Sequence, residues 1–266
     1  MKKILVIATG GTIASVKEEQ IRLGNPLRIT EFADIQTERF ECVSPFSVLS
    51  ENMNFSLWQK LIDFIKYCDL KKYLGAIILH GSDTLAYTGA LLANIFPGEN
   101  ICLVASDKPA DEPGSNAAEN FRSAIEHIKK EGHGVYISFD GIFPADCVVS
   151  ADDEDRFIAS GKPQPRIKSP VFTPKNILVI RPYVNMDYHN YNLDGVDMVL
   201  HTMYHSATAD KRVLDFAAEC KERKIPFYFV TTKEKAEYES AAEFENIIFN
   251  CTTENAYARL LLTDSQ

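Results

Sequence analysis

At 266 residues, with 45% apolar and 24% charged side chains, the chain is long enough to bury a sizeable core and too apolar for wholesale disorder or a fibrous structure. Its formal net charge is -9 and no basic run is longer than a pair, so the electrostatic footprint of a nucleic-acid binder is missing. No apolar stretch approaches the roughly 20 residues of a membrane helix. The six cysteines are scattered, with neither Cys-x-x-Cys spacing nor histidines at zinc-ligand intervals, and read as reduced core thiols rather than a metal site.

Lys2 and Lys3 precede the apolar run 4–8, which is too short for a signal-peptide core and breaks at Gly10 and Gly11; it predicts a first β-strand and a cytoplasmic protein. A helical pattern follows over 56–68, with Leu57, Leu61, Ile62 and Ile65 on one face. Then come a buried strand "AIILH" from 76, a helix over 84–96, a strand "ICLVA" from 101, a helix over 115–130 carrying Phe121, Ile125 and Ile128, and a strand "VYISF" from 135. The acidic run "DDEDR" at 152 fits a solvated face or a helix start. Four prolines fall between Ser160 and Lys175 without apolar periodicity, predicting a linker over 161–175 between an N-terminal domain, 1–160, and a smaller C-terminal domain, 176–266. Strands "ILVIR" at 177, "VDMVLH" at 196 and "FYFV" at 227 then alternate with helices over 208–223 and 252–262. Continuous apolar strands alternating with helices predict an α/β protein: a doubly wound, mostly parallel sheet in the N-terminal domain, plus a smaller α/β C-terminal domain.

In such sheets ligands collect outside the carboxyl ends of the strands, near a switch point in strand order. After the first strand stands "TGGT", 9–12, where Gly10 and Gly11 allow a sharp turn that brings amide N–H groups close to a bound carbonyl or carboxylate. Neither the phosphate-loop nor the dinucleotide glycine pattern is completed here. After the strand at 76 stands "GSDT", 81–84: a hydroxyl on Ser82, a carboxylate on Asp83 and a second hydroxyl on Thr84, at the start of a predicted helix whose free amides favour anions. That set suits an α-amino acid. Each segment alone also fits a plain structural role, Thr12 capping a glycine-tightened turn and Ser82 or Asp83 capping a helix.

Together the two segments resemble the bacterial-type L-asparaginase/glutaminase family, whose signatures are T-G-G-T-I-A near the N-terminus and H-G-T-D-T after a later strand. "TGGTIA" at 9–14 is a full match and "HGSDT" at 80–84 differs only by Ser82. "LSENM" at 49–53 looks like the family's D-S-x-[ND]-M segment, and "TTENAYARLLL" at 252–262 is similar to its closing helix. The resemblance implies hydrolysis of a side-chain amide, L-asparagine first, through an acyl-enzyme with Thr12 as nucleophile. Ser82 would position or activate water, and Asp83 would bind the substrate amino group and orient the base. Gly11, Ser50 and Glu51 would complete the substrate pocket, no metal or organic cofactor would be needed, and a homodimer or homotetramer is implied.

The chain departs from the pattern in several places. The family lysine, about ten residues beyond "FDG", falls on Ser150, and no lysine lies between Lys130 and Lys162, which leaves Lys162 or Arg156 as substitutes. The segment matching the mobile loop, "VKEEQIRLGNP", lacks the family's tyrosine; Asn116 stands for an aspartate; and "TMYHSAT", 202–208, replaces a glycine-rich turn, with His201 and His205 nearby. Two expectations follow from this: an asparaginase-type amidohydrolase, or an amino-acid-binding protein that keeps the pocket without the catalysis.

Overall fold

The computed structural model describes residues 2–17, 21–23, 29, 39–130 and 132–264. The chain divides into two compact units, Met1–Ala159 and Ser160–Gln266. Most of the loop matched to the family's mobile segment lies outside the described residues.

The first unit runs β1 (Ile4–Ala8), β2 (Ser15–Lys17), β3 (Ile21–Leu23), β4 (Phe40–Val43), α1 (Phe55–Tyr67), β5 (Ala76–Leu79), α2 (Leu85–Ile95), β6 (Asn100–Val104), α3 (Ala117–Lys129), β7 (Gly134–Ser138), β8 (Ile142–Pro144), β9 (Val148–Val149) and β10 (Ile158–Ala159). Its main sheet has the order β4-β1-β5-β6-β7-β8, parallel throughout except for the β7–β8 pair. All five residues of β1 and all four of β5 are buried, the pattern of central strands covered on both faces. Val6, Leu79, Cys102 and Val104 pack on one face against Phe121, Ala124, Ile125 and Ile128 of α3. On the other face α2 lies so close that a Cβ at Gly89 would be 2.8 Å from Ile137 Cδ1 of β7. α1 forms because Asn54 caps it, its side chain accepting from Leu57 N at 3.1 Å, and because Trp58, Leu61, Ile62 and Ile65 repeat at helical spacing as its buried stripe.

The second unit carries β11 (Pro170–Phe172), β12 (Ile177–Ile180), β13 (Met198–Thr202), α4 (Val213–Glu222), β14 (Phe227–Val230), β15 (Ile247–Ile248), α5 (Thr253–Leu260) and β16 (Leu262–Asp264). β12-β13-β14-β15 form an all-parallel sheet, and β11 pairs antiparallel with β16. Both units are therefore α/β, the first doubly wound and mostly parallel.

Four local expectations change. The proline-rich stretch 161–175 is not bare linker: it contains β11, which tolerates Pro170 because that residue opens a strand in a two-stranded ladder. The predicted helix at 252–262 ends at Leu260, and Leu262 enters β16. The helix expected from 208 begins at Val213, after a turn in which Arg212 is held by Asp210 at 2.6 Å. The acidic run at 152 is the solvated face the sequence allowed and not a helix start: residues 152–156 are exposed, with Asp152 and Glu154 holding Arg156 at 2.8 and 2.9 Å in a turn. All six cysteines are free, but only four are buried, Cys42 and Cys68 being half-exposed.

Candidate active site

From β1 the chain passes to β4 on one side and then, through α1, to β5 on the other, so the order reverses between β1 and β5. A crevice at this reversal, outside the carboxyl ends of the strands, is where doubly wound sheets place ligands. "TGGT" follows β1 and "HGSDT" follows β5, so both motifs meet there. A third segment joins them: Gly10 bridges to Val48 in parallel register, Val48 N donates to Thr9 O, and Gly11 N donates to Val48 O, each at 3.0 Å. This extends the β1–β4 pairing past β4 and delivers Ser50.

The two motifs touch through backbone. Gly11 has φ +79, and a Cβ there would clash with Gly81 N and Cα, far inside van der Waals contact, and lie 2.6 Å from the His80 carbonyl carbon. Gly81 in turn lies against Ser50, where an added Cβ would be 2.6 Å from Ser50 Cβ. Glycine is required at 11 both for its dihedral and for this approach. The Gly11 amide is donated to Val48 instead of being free for a bound carbonyl, while the Gly11 carbonyl accepts from Ser15 Oγ at 2.8 Å and Ala14 N at 3.1 Å. Thr12 follows at once, half-buried, as the first residue of the 3₁₀ turn Thr12–Ala14.

Ser50, 3% exposed, opens the 3₁₀ turn Ser50–Asn52, and its Oγ donates to Asp83 Oδ2 at 3.0 Å. Asp83 is exposed and Ser82 half-buried, at the amino end of α2. Neither caps the helix; Thr84 occupies the cap position without a side-chain cap bond, and its Oγ1 donates to Ser50 O at 3.0 Å. The geometry thus gathers Gly11, Ser50, Ser82 and Asp83, with Thr12 beside them; Glu51 is exposed on the same turn. Thr84 is the second hydroxyl read from the sequence, here turned onto Ser50; the group not singled out there is His80, fully buried, whose Nδ1–H donates to Gly81 O at 2.8 Å. Burial lowers the His80 pKa to about 4, against the opposing effects of the Gly81 bond and the Asp83 charge, so the ring is neutral at pH 7.

Among the described residues no lysine, arginine or histidine side chain is hydrogen-bonded to Thr12, Ser82 or Asp83. Ser150, where the resemblance expects lysine, follows β9. Of the two substitutes, Arg156 is taken by Asp152 and Glu154, and Lys162, in the second unit, pairs with Glu234 at 3.0 Å. Asn116 does not reproduce an aspartate's role at the site: its Nδ2 donates to Asp140 Oδ1 and its Oδ1 accepts from Asp107 N, both at 3.0 Å, tying the loop after β6 to the one after β7. His201 is a core residue of β13, its Nε2 2.9 Å from Tyr188 Oη, and His205 is exposed. The glycine-free turn at 202–208 closes with Ala207 at φ +58. Among the described residues, no cluster of three or more histidine, cysteine or carboxylate side chains is placed to hold a metal ion, and no helix is long and apolar enough to cross a membrane.

A doubly wound, mostly parallel sheet with hydroxyl and carboxylate side chains brought together at its switch point defines a class of small-molecule α/β enzymes and binding proteins. Residues 3–157 match the family model described as Asparaginase, N-terminal, and the chain belongs to the asparaginase family. A glutamyl-tRNA(Gln) amidotransferase subunit from Sulfurisphaera tokodaii is 35% identical over 131 residues, 46% of this chain and 29% of that protein; the counterpart from Sulfolobus acidocaldarius is 35% identical over 140 residues, 50% and 31%. The match thus spans under a third of these curated relatives. Among solved structures, the thermostable L-asparaginase from Thermococcus kodakarensis is similar at a TM-score of 0.73 and 24% identity, covering 96% of this chain and 86% of that one. L-asparaginase I from Vibrio cholerae gives a TM-score of 0.75 at 21% identity, covering 98% and 92%. At these identities the structural likeness speaks for the fold.

Proposed function

We propose that the chain hydrolyses the side-chain amide of a small amino acid, L-asparagine first, to a carboxylate and ammonia. The observation that carries this reading is the convergence of the 9–12, 48–52 and 80–84 segments at the switch point, with Ser50 Oγ on Asp83 and Gly11 against Gly81. Thr12 Oγ1 attacks the amide carbon, the tetrahedral adduct collapses with loss of ammonia, and water then cleaves the threonine ester. Threonine is a poor nucleophile until a base takes its proton, and general-base assistance is worth roughly 100- to 10,000-fold. Ser82 positions the water, Asp83 holds the substrate ammonium, and Ser50 and Glu51 hold the amino-acid carboxylate. No metal or organic cofactor enters this chemistry. The names of the relatives, L-asparaginases and amidotransferase subunits, support amide chemistry. The short first apolar run supports a place in the cytoplasm, and the family resemblance supports a homodimer or homotetramer, whose size light scattering on the purified protein checks.

The second reading is an amino-acid-binding protein on the same scaffold, favoured by the lack of a cationic or imidazole partner on Thr12, Ser82 and Asp83 among the described residues. Ammonia release from L-asparagine and L-glutamine, wild type against Thr12→Ala, separates the two. Under the hydrolase reading Thr12→Ala reduces turnover by at least about 1,000-fold, on the order of a lost nucleophile. Calorimetric amino-acid binding without ammonia release in either protein establishes the binder instead.

A further inference from the structure

The pentapeptide 80–84 grips Ser50 at three points. Gly81 packs against its Cβ, Asp83 accepts from its hydroxyl at 3.0 Å, and Thr84 donates to its carbonyl at 3.0 Å. The third of these is not what local helix chemistry calls for. A threonine at a helix N-cap ordinarily turns its oxygen onto an amide of the first turn, a bond worth about 1 kcal/mol. Thr84 makes no such bond, and its φ of -118 and ψ of 15 lie outside the extended region typical of a capping residue. Its hydroxyl instead reaches a residue 34 positions earlier in the chain.

Ser50 O also accepts from Met53 N at 3.0 Å, the bond that closes the 3₁₀ turn Ser50–Asn52. Thr84 therefore ties the start of α2 to the turn that aims the Ser50 hydroxyl, while its neighbour Asp83 takes that hydroxyl. We propose that Thr84 is a positioning residue, which fixes Ser50 relative to Asp83 and so sets the amino-acid-binding half of the site. This rests on the proposed reading only for the nature of the ligand; the positioning itself is a property of the free protein. The role requires a hydroxyl at 84 and does not require the methyl.

The test uses the full chain with Thr84→Val, nearly isosteric without the donor, and Thr84→Ser, which keeps it; Thr84→Ala replaces the valine variant should that one fail to fold. The first readout needs no ligand. Hydrogen exchange at the amides of Asn52 and Met53 accelerates roughly 3- to 10-fold in Thr84→Val, the range expected for one lost hydrogen bond, and stays at the wild-type rate in Thr84→Ser. Unchanged exchange in Thr84→Val overturns the proposal whatever the activity. The second readout is L-asparagine, by ammonia release or calorimetry. KM or Kd rises about 3- to 10-fold in Thr84→Val with kcat within about 2-fold, Thr84→Ser restores it, and the effect disappears in a Ser50→Ala background. An equal effect in both backgrounds shows that Thr84 does not act through Ser50 and overturns the proposal. Accelerated exchange in a protein that neither hydrolyses nor binds L-asparagine upholds the positioning and sinks the functional reading alone.

Discussion

At the level of single residues, the glycines of the first unit differ in what they are for. Gly11 and Gly114 both have positive φ, +79 and +77, and Gly11 combines it with a ψ of 178 that glycine alone readily adopts. A Cβ at Gly114 meets nothing within 4 Å, whereas at Gly11 it would overlap the backbone of His80 and Gly81. Gly114→Ala should therefore cost only the dihedral strain, about 1 to 2 kcal/mol. Gly11→Ala adds a clash against backbone that has no flexible end to move, and should cost at least about 3 kcal/mol. Urea unfolding of both variants checks the order, and an equal loss would show that the approach of Gly11 to Gly81 does not constrain the fold. The pair "GG" is legible in the sequence as a turn, but its partner is not: Gly11 and Gly81 are 70 positions apart, and no local pattern connects them.

Among the elements, α1 and α2 are joined by a buried polar contact, Trp58 Nε1 donating to Thr88 Oγ1 at 2.9 Å. Trp58 is the chain's only tryptophan, so its fluorescence reports this packing directly. Trp58→Phe keeps the ring contacts in part and strands the Thr88 hydroxyl; the expected loss is roughly 1 to 3 kcal/mol, with Thr88→Val in the same background returning part of it, since an apolar pair of similar shape leaves nothing unsatisfied. Chemical unfolding followed by far-ultraviolet circular dichroism measures both. Leu61, Ile62 and Ile65 of the expected stripe are buried at the 3.6-residue period of a helix, which is why the element was legible to within a residue, but Trp58, not Leu57, completes the buried face. The end of α5 was not legible, because Leu262 continues the apolar pattern of the helix while its backbone pairs with Phe172, 90 positions away.

Each unit of the whole molecule buries one neutral histidine, His80 in the first and His201 in the second, both with pKa lowered to about 4 chiefly by burial. In the unfolded chain the same rings titrate near 6.5. Between those values the unfolded state binds the proton and the folded state does not, so stability rises with pH through the window. Each histidine's contribution is complete above about pH 6.5 and is lost as pH falls toward 4, by about 3 kcal/mol per ring. Urea unfolding at pH 7, 5.5 and 4 should show this decline, and His80→Gln should flatten its share of the slope; a wild-type stability that is level from pH 7 to 4 would refute it.

Strand and helix positions, the alternation that makes both units α/β, and the two motifs with Thr12, Ser82 and Asp83 are carried by short windows of sequence, since periodicity, glycine dihedrals and apolar runs are local properties of the chain. The assembly of the site is not. That Val48 runs beside Gly10, that Ser50 rather than solvent meets Asp83, that the Gly11 amide is already taken and that Thr84 bonds a distant carbonyl all depend on the order β4-β1-β5. These contacts join residues more than 30 positions apart, and each forms only because the packed sheet holds the strand ends that carry them side by side.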